Sequence, residues 1–424
     1  MNILLLTLGS AGDVHPFIGL GIGLKCRGHC VTIVTSGYFK ELIQNSGLGF
    51  IEHGSVEDFK RIIANPHIWS PRQGLEILLK EIFLPAIQPI GEIIERFDVK
   101  DTVVVSSSFM FGARIAHERL QVPFVTVLLQ PAGLWSIYEP PVMASLPLPG
   151  WLPLFFKRLI LSAADKVLDK MLAPGINRVR AGFGLPEVHH IFSRWMYSPQ
   201  KILGLFPDWF APYAHDWPEN TQLTGFLSFD RSNNTAVSQK VMEFFRAGDP
   251  PVIVTPGTAM LHGGQFFRAS LEACQLTGKR AVLLTRYREQ LPRILPHGIV
   301  HFDYVPLSLI LPYAAALIHH GGIGTAIQGL AAGIPQMIMP INYDQPDNAA
   351  RLERLGVGAS IPPNKYHGPR IAKKLVHLLS SPEVKRQCKY RAAKMDFDRA
   401  LRDTCLAIEQ VADGKCTNRS PSLR

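Results

Sequence analysis

The segment from Ala314 to Asn348 constrains the fold of this chain more than any other stretch. It starts with a short apolar run, Ala314–Ile318, which is typical of a buried parallel strand. The run leads directly into His319-His320-Gly321-Gly322-Ile323-Gly324-Thr325. The glycines leave the main chain bare at the turn, and a helix is predicted from Thr325 to the stop signal Gly333-Ile334-Pro335. Strand, glycine-rich turn and helix in this order predict a βα unit of a parallel sheet.

The same turn has the composition of an anion site. Free N–H groups and the helix dipole both point toward such a strand-to-helix turn. His320 and Thr325 add side-chain donors, as a diphosphate would require. In the next polar loop, Asp344 and Gln345 offer a carboxylate and an amide, which suit sugar hydroxyls. The segment therefore indicates a nucleotide-sugar site, whereas glycines needed only for packing would make it an ordinary βα turn.

Apolar runs elsewhere in the chain predict further buried strands. In the first half they alternate with helices predicted over Phe17–Leu24 and Phe109–Leu120, which favours a doubly wound α/β domain. The second half restarts the same scheme without an evident sequence repeat of the first. The predicted strands are Asn2–Leu8, Val31–Thr35, Thr102–Ser106, Pro123–Leu128, Val252–Thr255, Ala281–Thr285, Ile299–Phe302, Leu317–Ile318 and Met337–Met339.

The chain is too long for one hydrophobic core. Its 424 residues predict two domains of about 200 residues each. Phe206–Asp230, rich in proline, tryptophan and glycine, marks the end of the first domain. We expect an N-terminal domain over residues 1–222 and a second domain over residues 223–390. Residues 391–424 would form a helix that packs back toward the first domain, followed by a polar tail predicted to be disordered.

Composition excludes several classes of protein. With 47% hydrophobic and 18% charged residues the chain is globular, and no apolar window is long enough for a transmembrane helix. The net charge of +10 is spread along the chain, which argues against nucleic-acid binding. The six cysteines have no zinc spacing, so we predict no metal site and a reduced, cytoplasmic chain. Met1–Leu8 resembles a first strand, not a signal peptide.

Two segments of the first half carry less specific signals. The turn Gly12-Asp13-Val14-His15-Pro16 follows the first strand but lacks G-x-G-x-x-G, so dinucleotide binding is weakly supported. Pro131–Pro174 breaks the α/β pattern with aromatic residues among prolines. The segment forms either a loop and helix pair packed on the domain or an apolar pocket for the acceptor. In the second case Trp151–Phe156 and Lys157–Arg158 could contact a membrane surface.

With these residues placed, the chain resembles the family 1 glycosyltransferases over nearly its whole length. Within that family it is most similar to the bacterial rhamnosyltransferases that form rhamnolipids. The C-terminal motif is specific for the superfamily, and the other stretches point to the lipid-glycosylating branch. The matching stretches are Gly9–Pro16, Gly112–Glu118, Trp195–Gln200, Phe206–Pro212, Gly322–Gly324 and Asp344–Ala349.

The resemblance implies a GT-B architecture, in which two Rossmann-like doubly wound domains face each other across a cleft. The second domain would hold the donor, and the loops of the first, chiefly Pro131–Pro174, would hold the acceptor. Implied donor contacts are Tyr304 and Val305 for the base; Gly257, Thr258, His320, Gly322, Gly324 and Thr325 for the diphosphate; and Asp344 and Gln345 for the sugar. Candidate acceptor contacts, chosen from the residues themselves as aromatic side chains near these loops, are Phe17, Trp135, Tyr138 and Trp151.

By the same resemblance, an acceptor hydroxyl attacks the anomeric carbon with inversion, and no metal or other cofactor is needed. Plant relatives place a histidine base in G-H-x-x-P, where this chain has Asp13. Aspartate has a reference pKa of about 3.9, and His15, two residues away, one of about 6.5. Asp13 is therefore one base candidate and His15 another, and Asp13 could instead be a structural residue of an Asx turn.

These features predict transfer of rhamnose or glucose from a UDP- or dTDP-sugar to a hydrophobic hydroxylated acceptor, such as a hydroxy-fatty-acid lipid. The alternatives are glycosylation of a polyketide or other small aglycone, a nucleotide-sugar epimerase, and a non-catalytic subunit that activates or anchors a partner. We expect a cytoplasmic protein with peripheral contact to the inner membrane surface. The sequence leaves its oligomeric state open.

Overall fold

The computed structural model describes residues 1–144, 148–230 and 238–414. The chain divides into two compact units. The N-terminal unit contains residues 1–9, 13–227 and 396 onward, and the C-terminal unit contains residues 10–12 and 228–395. From residue 415, the tail predicted to be disordered lies outside the described residues.

Strands and helices alternate through most of the described chain. The strands are β1 (Asn2–Leu6), β2 (Cys30–Thr35), β3 (Gly49–Glu52), β4 (Thr102–Ser107), β5 (Phe124–Leu128), β6 (Lys201–Gly204), β7 (Thr221–Leu223), β8 (Val252–Thr255), β9 (Ala281–Leu284), β10 (Ile299–Phe302), β11 (Ala316–His319), β12 (Gln336–Ile338) and β13 (Gly358–Ser360). The α-helices are α1 (Ala11–Cys26), α2 (Lys40–Asn45), α3 (Val56–Ala64), α4 (Gly74–Leu78), α5 (Ile87–Glu95), α6 (Phe111–Leu120), α7 (Leu154–Gly182), α8 (Gln239–Arg246), α9 (Gly264–Leu276), α10 (Leu307–Ile310), α11 (Ile323–Ala331), α12 (Gln345–Arg354), α13 (Gly368–Ser380), α14 (Pro382–Ala392) and α15 (Phe397–Ala412).

The sheet of the N-terminal unit is parallel, with the strand order β3-β2-β1-β4-β5-β6-β7. Its central strand β1 pairs Leu4 with Thr32 of β2 on one side and with Val104 of β4 on the other. Ile3–Leu6 is fully buried, as a strand covered on both faces requires. Late in the chain, α15 lies against β4 and β5 of this sheet.

The sheet of the C-terminal unit is also parallel, with the order β10-β9-β8-β11-β12-β13. The strand order reverses between β8 and β11, because the chain builds outward from β8 to β10 and then returns to the other side. Ile253 and Leu317 on these two strands are fully buried and belong to the core of the unit.

The two-domain α/β class predicted from the sequence is confirmed, and each predicted strand is present with bounds that differ by two residues or fewer. The short strands β3, β6, β7 and β13 were not predicted. The predicted start of the first helix at Phe17 is wrong, because α1 begins at Ala11. Gly9, with φ of +136°, turns the chain directly from β1 toward the helix, and Pro16 becomes an interior residue.

The aromatic segment Pro131–Pro174 contains a loop followed by a helix, which agrees with the first of the two alternatives predicted for it. Its second half is part of one helix, α7, which runs 29 residues from Leu154 and contains Pro174. Among residues 1–144, 148–230 and 238–414, none of the helices combines the length and the apolarity needed to span a membrane.

Candidate functional site

In the C-terminal unit, the predicted diphosphate residues lie at the point where the strand order reverses. Gly257 and Thr258 follow β8, and His320 to Thr325 follow its neighbour β11. Open α/β sheets bind ligands at this position, outside the carboxyl ends of the two diverging strands. The topology therefore brings together two loops that are separated by about sixty residues in the sequence.

The imidazole of His320 fits between two glycines. A Cβ atom added to Gly257 would lie 2.6 Å from Cε1 of His320, and one added to Gly322 would lie 2.5 Å from its Nε2. Gly257 also has φ of +90°, a conformation that favours glycine. The sequence suggested that these glycines expose main chain to a ligand. In the structure they also make room for the side chain of His320.

Burial lowers the pKa of His320 to about 4, so its imidazole is neutral at pH 7. A neutral imidazole carries one N–H donor and one acceptor nitrogen. Its Nδ1 atom is buried without a hydrogen-bond partner among the described residues. His320 therefore suits a phosphate oxygen as a neutral hydrogen-bond donor, not as a cation.

The neighbouring His319 has a structural role. It is fully buried at the end of β11, and its Nδ1 accepts a hydrogen bond from the N–H of Gly321 at 3.1 Å. Burial, with a smaller contribution from His320, lowers the pKa of His319 to about 3. This neutral side chain fixes the turn from which α11 begins.

The first turn of α11 offers backbone donors. Gly322 is the residue before the helix, and no side chain caps it. Gly324 and Thr325 are the second and third helical residues. The first N–H groups of a helix have no acceptor within the helix, and its dipole favours negative charge there. Thr325 thus lies in the first turn of α11, beside these backbone donors.

The loop after β12 carries Asp344 and Gln345, the predicted sugar contacts. Gln345 is 3% exposed, and its Oε1 accepts N–H groups of Ile341 at 2.9 Å and Asn342 at 3.3 Å. The amide oxygen is therefore used to shape the loop, which leaves the NH2 group as the part of Gln345 suited to a sugar hydroxyl. Tyr343, just before Asp344, has φ of +58°, rare for a non-glycine residue.

Asn348 links this loop to the glycine turn. Its Nδ2 donates to Oδ2 of Asp344 at 2.7 Å and to the carbonyl oxygen of Gly321 at 3.0 Å. Asn348 is fully buried. No role at the site was predicted for Asn348 from the sequence, although it lies four residues after Asp344, the residue that precedes α12, and therefore on the same side of the helix.

The predicted base contacts follow β10. The hydroxyl of Tyr304 donates to the carbonyl oxygen of Asp230 at 2.8 Å, and the Arg286 guanidinium carbon lies 5.6 Å from the centroid of its ring. Val305 is 6% exposed and belongs to the core. Its backbone is the part that could contact a base.

In the N-terminal unit, Asp13 and His15 are in the first turns of α1, not in a loop. A Cβ atom on Gly9 would lie 2.4 Å from Oδ2 of Asp13, so glycine is required there for this carboxylate position. The hydroxyl of Thr7 donates to the main-chain oxygen of Asp13 at 3.2 Å. The strand order of this sheet reverses between β1 and β4, so both base candidates lie at a reversal point too.

An aromatic cluster follows the ends of β4 and β5. Its ring centroids are 4.8 Å apart for Phe83 and Phe109, 5.9 Å for Phe109 and Phe192, and 4.7 Å for Trp135 and Phe192. Only Trp135 was predicted among them. Its Nε1 atom is buried without a partner among the described residues. Three of these rings escaped sequence analysis because they come from segments far apart in the chain.

The other predicted acceptor residues lie elsewhere. Phe17 is fully buried on α1, so it offers no exposed surface to a ligand. Tyr138 is 47% exposed, with its ring 5.8 Å from that of His215. Trp151 is 81% exposed, so it cannot form the wall of an enclosed pocket.

The sequence predicted no metal cluster, but the fold gathers Asp165, Asp169 and His190, whose ligand atoms lie within 4.8 Å of one another. The two carboxylates already accept hydrogen bonds from the backbone N–H groups of His190, Ile191 and Ser193 at 2.7 to 3.2 Å. These hydrogen bonds hold α7 against the turn that follows it, which gives the cluster a structural role.

Family models match both halves of the chain. Residues 3–138 match the glycosyltransferase family 28 N-terminal domain, and residues 276–400 match the C-terminal domain of the erythromycin biosynthesis protein CIII-like proteins. The chain is 26% identical to O-mycaminosyltylonolide 6-deoxyallosyltransferase of Streptomyces fradiae, over 99% of this chain and 100% of the relative. It is 27% identical to a sterol 3-beta-glucosyltransferase of Debaryomyces hansenii, over 85% of this chain but only 24% of the relative.

Solved structures agree on the fold. The glycosyltransferase of kitacinnamycin superposes with a TM-score of 0.76 at 19% identity, covering 97% of this chain and 99% of that one. A spinosyn rhamnosyltransferase complexed with thymidine diphosphate has a TM-score of 0.65 at 19% identity, covering 95% and 99%. The chain is a glycosyltransferase of the GT-B type. The predicted resemblance to the family 1 glycosyltransferases is confirmed for the fold and the class of enzyme. The sugar and the acceptor are not identified by these comparisons.

Proposed function

We propose that this glycosyltransferase transfers a hexose, rhamnose or glucose, from a UDP- or dTDP-sugar to a hydroxyl of a hydrophobic acceptor, with inversion at the anomeric carbon. The favoured acceptor is a hydroxy-fatty-acid lipid, as in the bacterial rhamnosyltransferases of rhamnolipid synthesis that the sequence resembles. Such an acceptor would place the enzyme in the cytoplasm, in peripheral contact with the membrane.

One observation carries the donor assignment: the order of the candidate loops along the sheet edge. Tyr304 follows β10, the His320 turn lies at β8 and β11, and Asp344 follows β12. Adjacent strands are about 4.8 Å apart, so the four strand intervals from β10 to β12 span roughly 19 Å. Base-binding, phosphate-binding and sugar-binding residues thus follow one another in the order of the parts of an extended nucleotide sugar.

The leaving diphosphate is stabilised by neutral donors in this proposal. The N–H of His320, the hydroxyl of Thr325 and the first backbone N–H groups of α11 would bind its oxygens. Fixed donors of this kind stabilise charge that develops in the transition state. The transfer would therefore proceed without a divalent cation, and turnover that stops when the enzyme is treated with EDTA would contradict this part of the proposal.

The N-terminal unit would supply the base. As the acceptor oxygen forms its bond to the anomeric carbon, its proton passes to the Asp13 carboxylate and the bond from that carbon to the diphosphate breaks. His15 is the alternative base. The position of Asp13 against Gly9 supports the first assignment, because a residue with a side chain at position 9 would displace the carboxylate.

A small aglycone is the second candidate acceptor. The aromatic cluster around Phe109 and Trp135 supports it, because a group of aromatic rings suits a rigid, flat or cyclic molecule as well as an acyl chain. The name of the Streptomyces fradiae relative points to such an acceptor for that protein. Competition between a hydroxy-fatty-acid lipid and an aromatic alcohol for the same donor would separate the two.

The decisive experiment follows nucleotide diphosphate release from dTDP-rhamnose, dTDP-glucose and UDP-glucose, with and without acceptor. Release that requires an acceptor supports transfer. Interconversion of donors without acceptor would instead indicate an epimerase. If Asp13→Asn and His320→Ala each left product formation in cells unchanged, the protein would be a binding subunit and not a catalyst.

A further inference from the structure

The first part of α7 and the turn before it form an exposed apolar surface. We call this surface the α7 face and define it by Trp151, Leu154, Phe155, Phe156 and Leu159. Their exposed fractions are 81%, 44%, 71%, 50% and 58%. Single exposed apolar residues are ordinary, but a contiguous group with three aromatic rings usually marks an interaction site.

The opposite side of the same helix holds this face outward. Leu161, Asp165 and Leu172 are buried, so α7 is fixed against its unit along one side. The aliphatic stem of Lys157 is buried as well, and its Nζ donates to the carbonyl oxygen of Gly150 at 3.0 Å. This bond ties the turn that carries Trp151 to the helix. The exposed rings are therefore presented by an anchored element.

Charge on α7 is of one sign where it is exposed. Arg158, Lys166 and Lys170 are exposed, and Arg158 lies within the apolar group. The acidic residues between positions 148 and 182 are Asp165 and Asp169. Both accept hydrogen bonds from the segment after α7, so they lie on its inner side. The α7 face is thus apolar and cationic.

We propose that the α7 face inserts into the headgroup region of an anionic lipid bilayer. Helices that combine Trp, Phe and Leu with Lys and Arg and lack exposed acid lie in that region, with their rings at the acyl boundary. Basic residues near an anionic leaflet add to the binding. A second copy of this chain fits less well, because a two-fold contact would bring Arg158 and the lysines of both copies together. This inference rests on the proposed function, because a lipid acceptor gives the enzyme a reason to contact a membrane.

The test uses the full-length protein and vesicles, without donor or acceptor. Co-sedimentation is measured with vesicles of equal parts phosphatidylcholine and phosphatidylglycerol, and with phosphatidylcholine alone. We expect binding to the anionic vesicles that weakens with added salt. The double variant Phe155→Ser, Leu159→Ser should bind at least about tenfold more weakly, because two buried apolar side chains are lost from the membrane-bound state. Arg158→Glu should also weaken binding.

Matched controls are Ile294→Ser, which removes an 86% exposed apolar side chain from the C-terminal unit, and Lys240→Glu, which reverses an exposed charge there. Both should bind as the unmodified chain does. Equal binding by the double variant, or no binding to anionic vesicles at all, would overturn the proposal. Dimerisation in solution that the double variant abolishes would instead assign the face to a second copy.

Transfer to a water-soluble acceptor is measured separately. The double variant should retain it, because neither residue is placed in the donor or acceptor site. Transfer by the unmodified chain without binding to anionic vesicles would refute only the membrane surface. Vesicle binding without transfer by the unmodified chain would refute only the proposed activity.

Discussion

The donor loops of the C-terminal unit and the acceptor region of the N-terminal unit are built in different ways. Around His320, the geometry is set by backbone: a strand end, glycines without side chains and a helix start within a few residues. Around Trp135, it is set by side chains that meet from distant segments, such as Phe83 and Phe192. We expect the first region to tolerate little change and the second to adapt to different acceptors.

The largest expected effect is that of His320→Ala. Removing a fixed donor to developing charge typically costs about a hundredfold in turnover. We expect a loss of that size in kcat/KM and weaker binding of the free nucleotide diphosphate. Because the pKa of His320 is about 4, its neutral form dominates from pH 5 to 8. Steady-state kinetics and calorimetry over that range should show that its contribution does not change with pH.

His320→Gln is the companion variant, since glutamine keeps a neutral N–H donor. It should recover part of the activity lost in His320→Ala. If His320→Ala bound nucleotide as well as the unmodified chain does, the donor loops would tolerate change as the acceptor region is expected to do.

The next effect isolates the glycine that faces His320. Gly257→Ala and Gly28→Ala both place a methyl group at positive φ, +90° and +91°, and should each cost about 1–2 kcal/mol of stability. A Cβ at position 28 meets nothing within 4 Å, whereas one at position 257 meets the His320 ring. We therefore expect only Gly257→Ala to lose donor affinity, by about tenfold, or 1.4 kcal/mol. Equal affinities for the two variants would show that His320 can move away at no cost.

This contrast also explains how much could be predicted from the sequence. Buried parallel strands are continuous apolar runs, so β1, β8 and β10 were identified from sequence, and glycine, histidine and threonine in register identified the His320 turn. The short strands β3 and β13 escaped because their four-residue and three-residue stretches contain glycine and polar residues. The start of α1 escaped because Gly12 and Pro16 resemble loop residues, although Gly9 alone makes the turn.

The acceptor region was less predictable for a different reason. Phe17 and Trp151 were chosen as aromatic residues near candidate loops, yet one is fully buried and the other 81% exposed. Which rings meet depends on tertiary packing that no local pattern encodes. Asn348 was missed similarly, because its two partners, Asp344 and Gly321, are joined only once α12 has packed beside the turn.

A smaller effect is expected from Trp135→Phe, which keeps a ring and removes the buried Nε1–H. If that donor binds an acceptor oxygen, its loss should raise the KM for the acceptor about fivefold, the value of one hydrogen bond of about 1 kcal/mol, with kcat little changed. Trp217→Phe is the matched control, because its Nε1 is also buried without a partner among the described residues, beside Phe206 and outside the candidate site. An unchanged KM for Trp135→Phe would exclude this contact.

The smallest effect tests a contact of the N-terminal unit that should leave the chemistry unaffected. Arg27 and His29 bind Glu409 of α15 at 2.7 and 2.8 Å. These hydrogen bonds, chiefly those from Arg27, lower the pKa of the Glu409 carboxyl from 4.5 to about 2. Because the folded pKa lies below the unfolded one, the stabilisation is complete above pH 4.5 and is lost as the pH falls toward 2. After allowance for solvent screening, Glu409→Gln should cost about 1 kcal/mol of stability at pH 7.

Denaturant unfolding at pH 7 and pH 3 should show that this cost shrinks in acid. The control is Glu383→Gln, because the Glu383 side chain is 59% exposed in its pair with Arg386 and its loss should change stability less. An equal cost at both pH values would mean that Glu409 stabilises α15 by packing and not by charge.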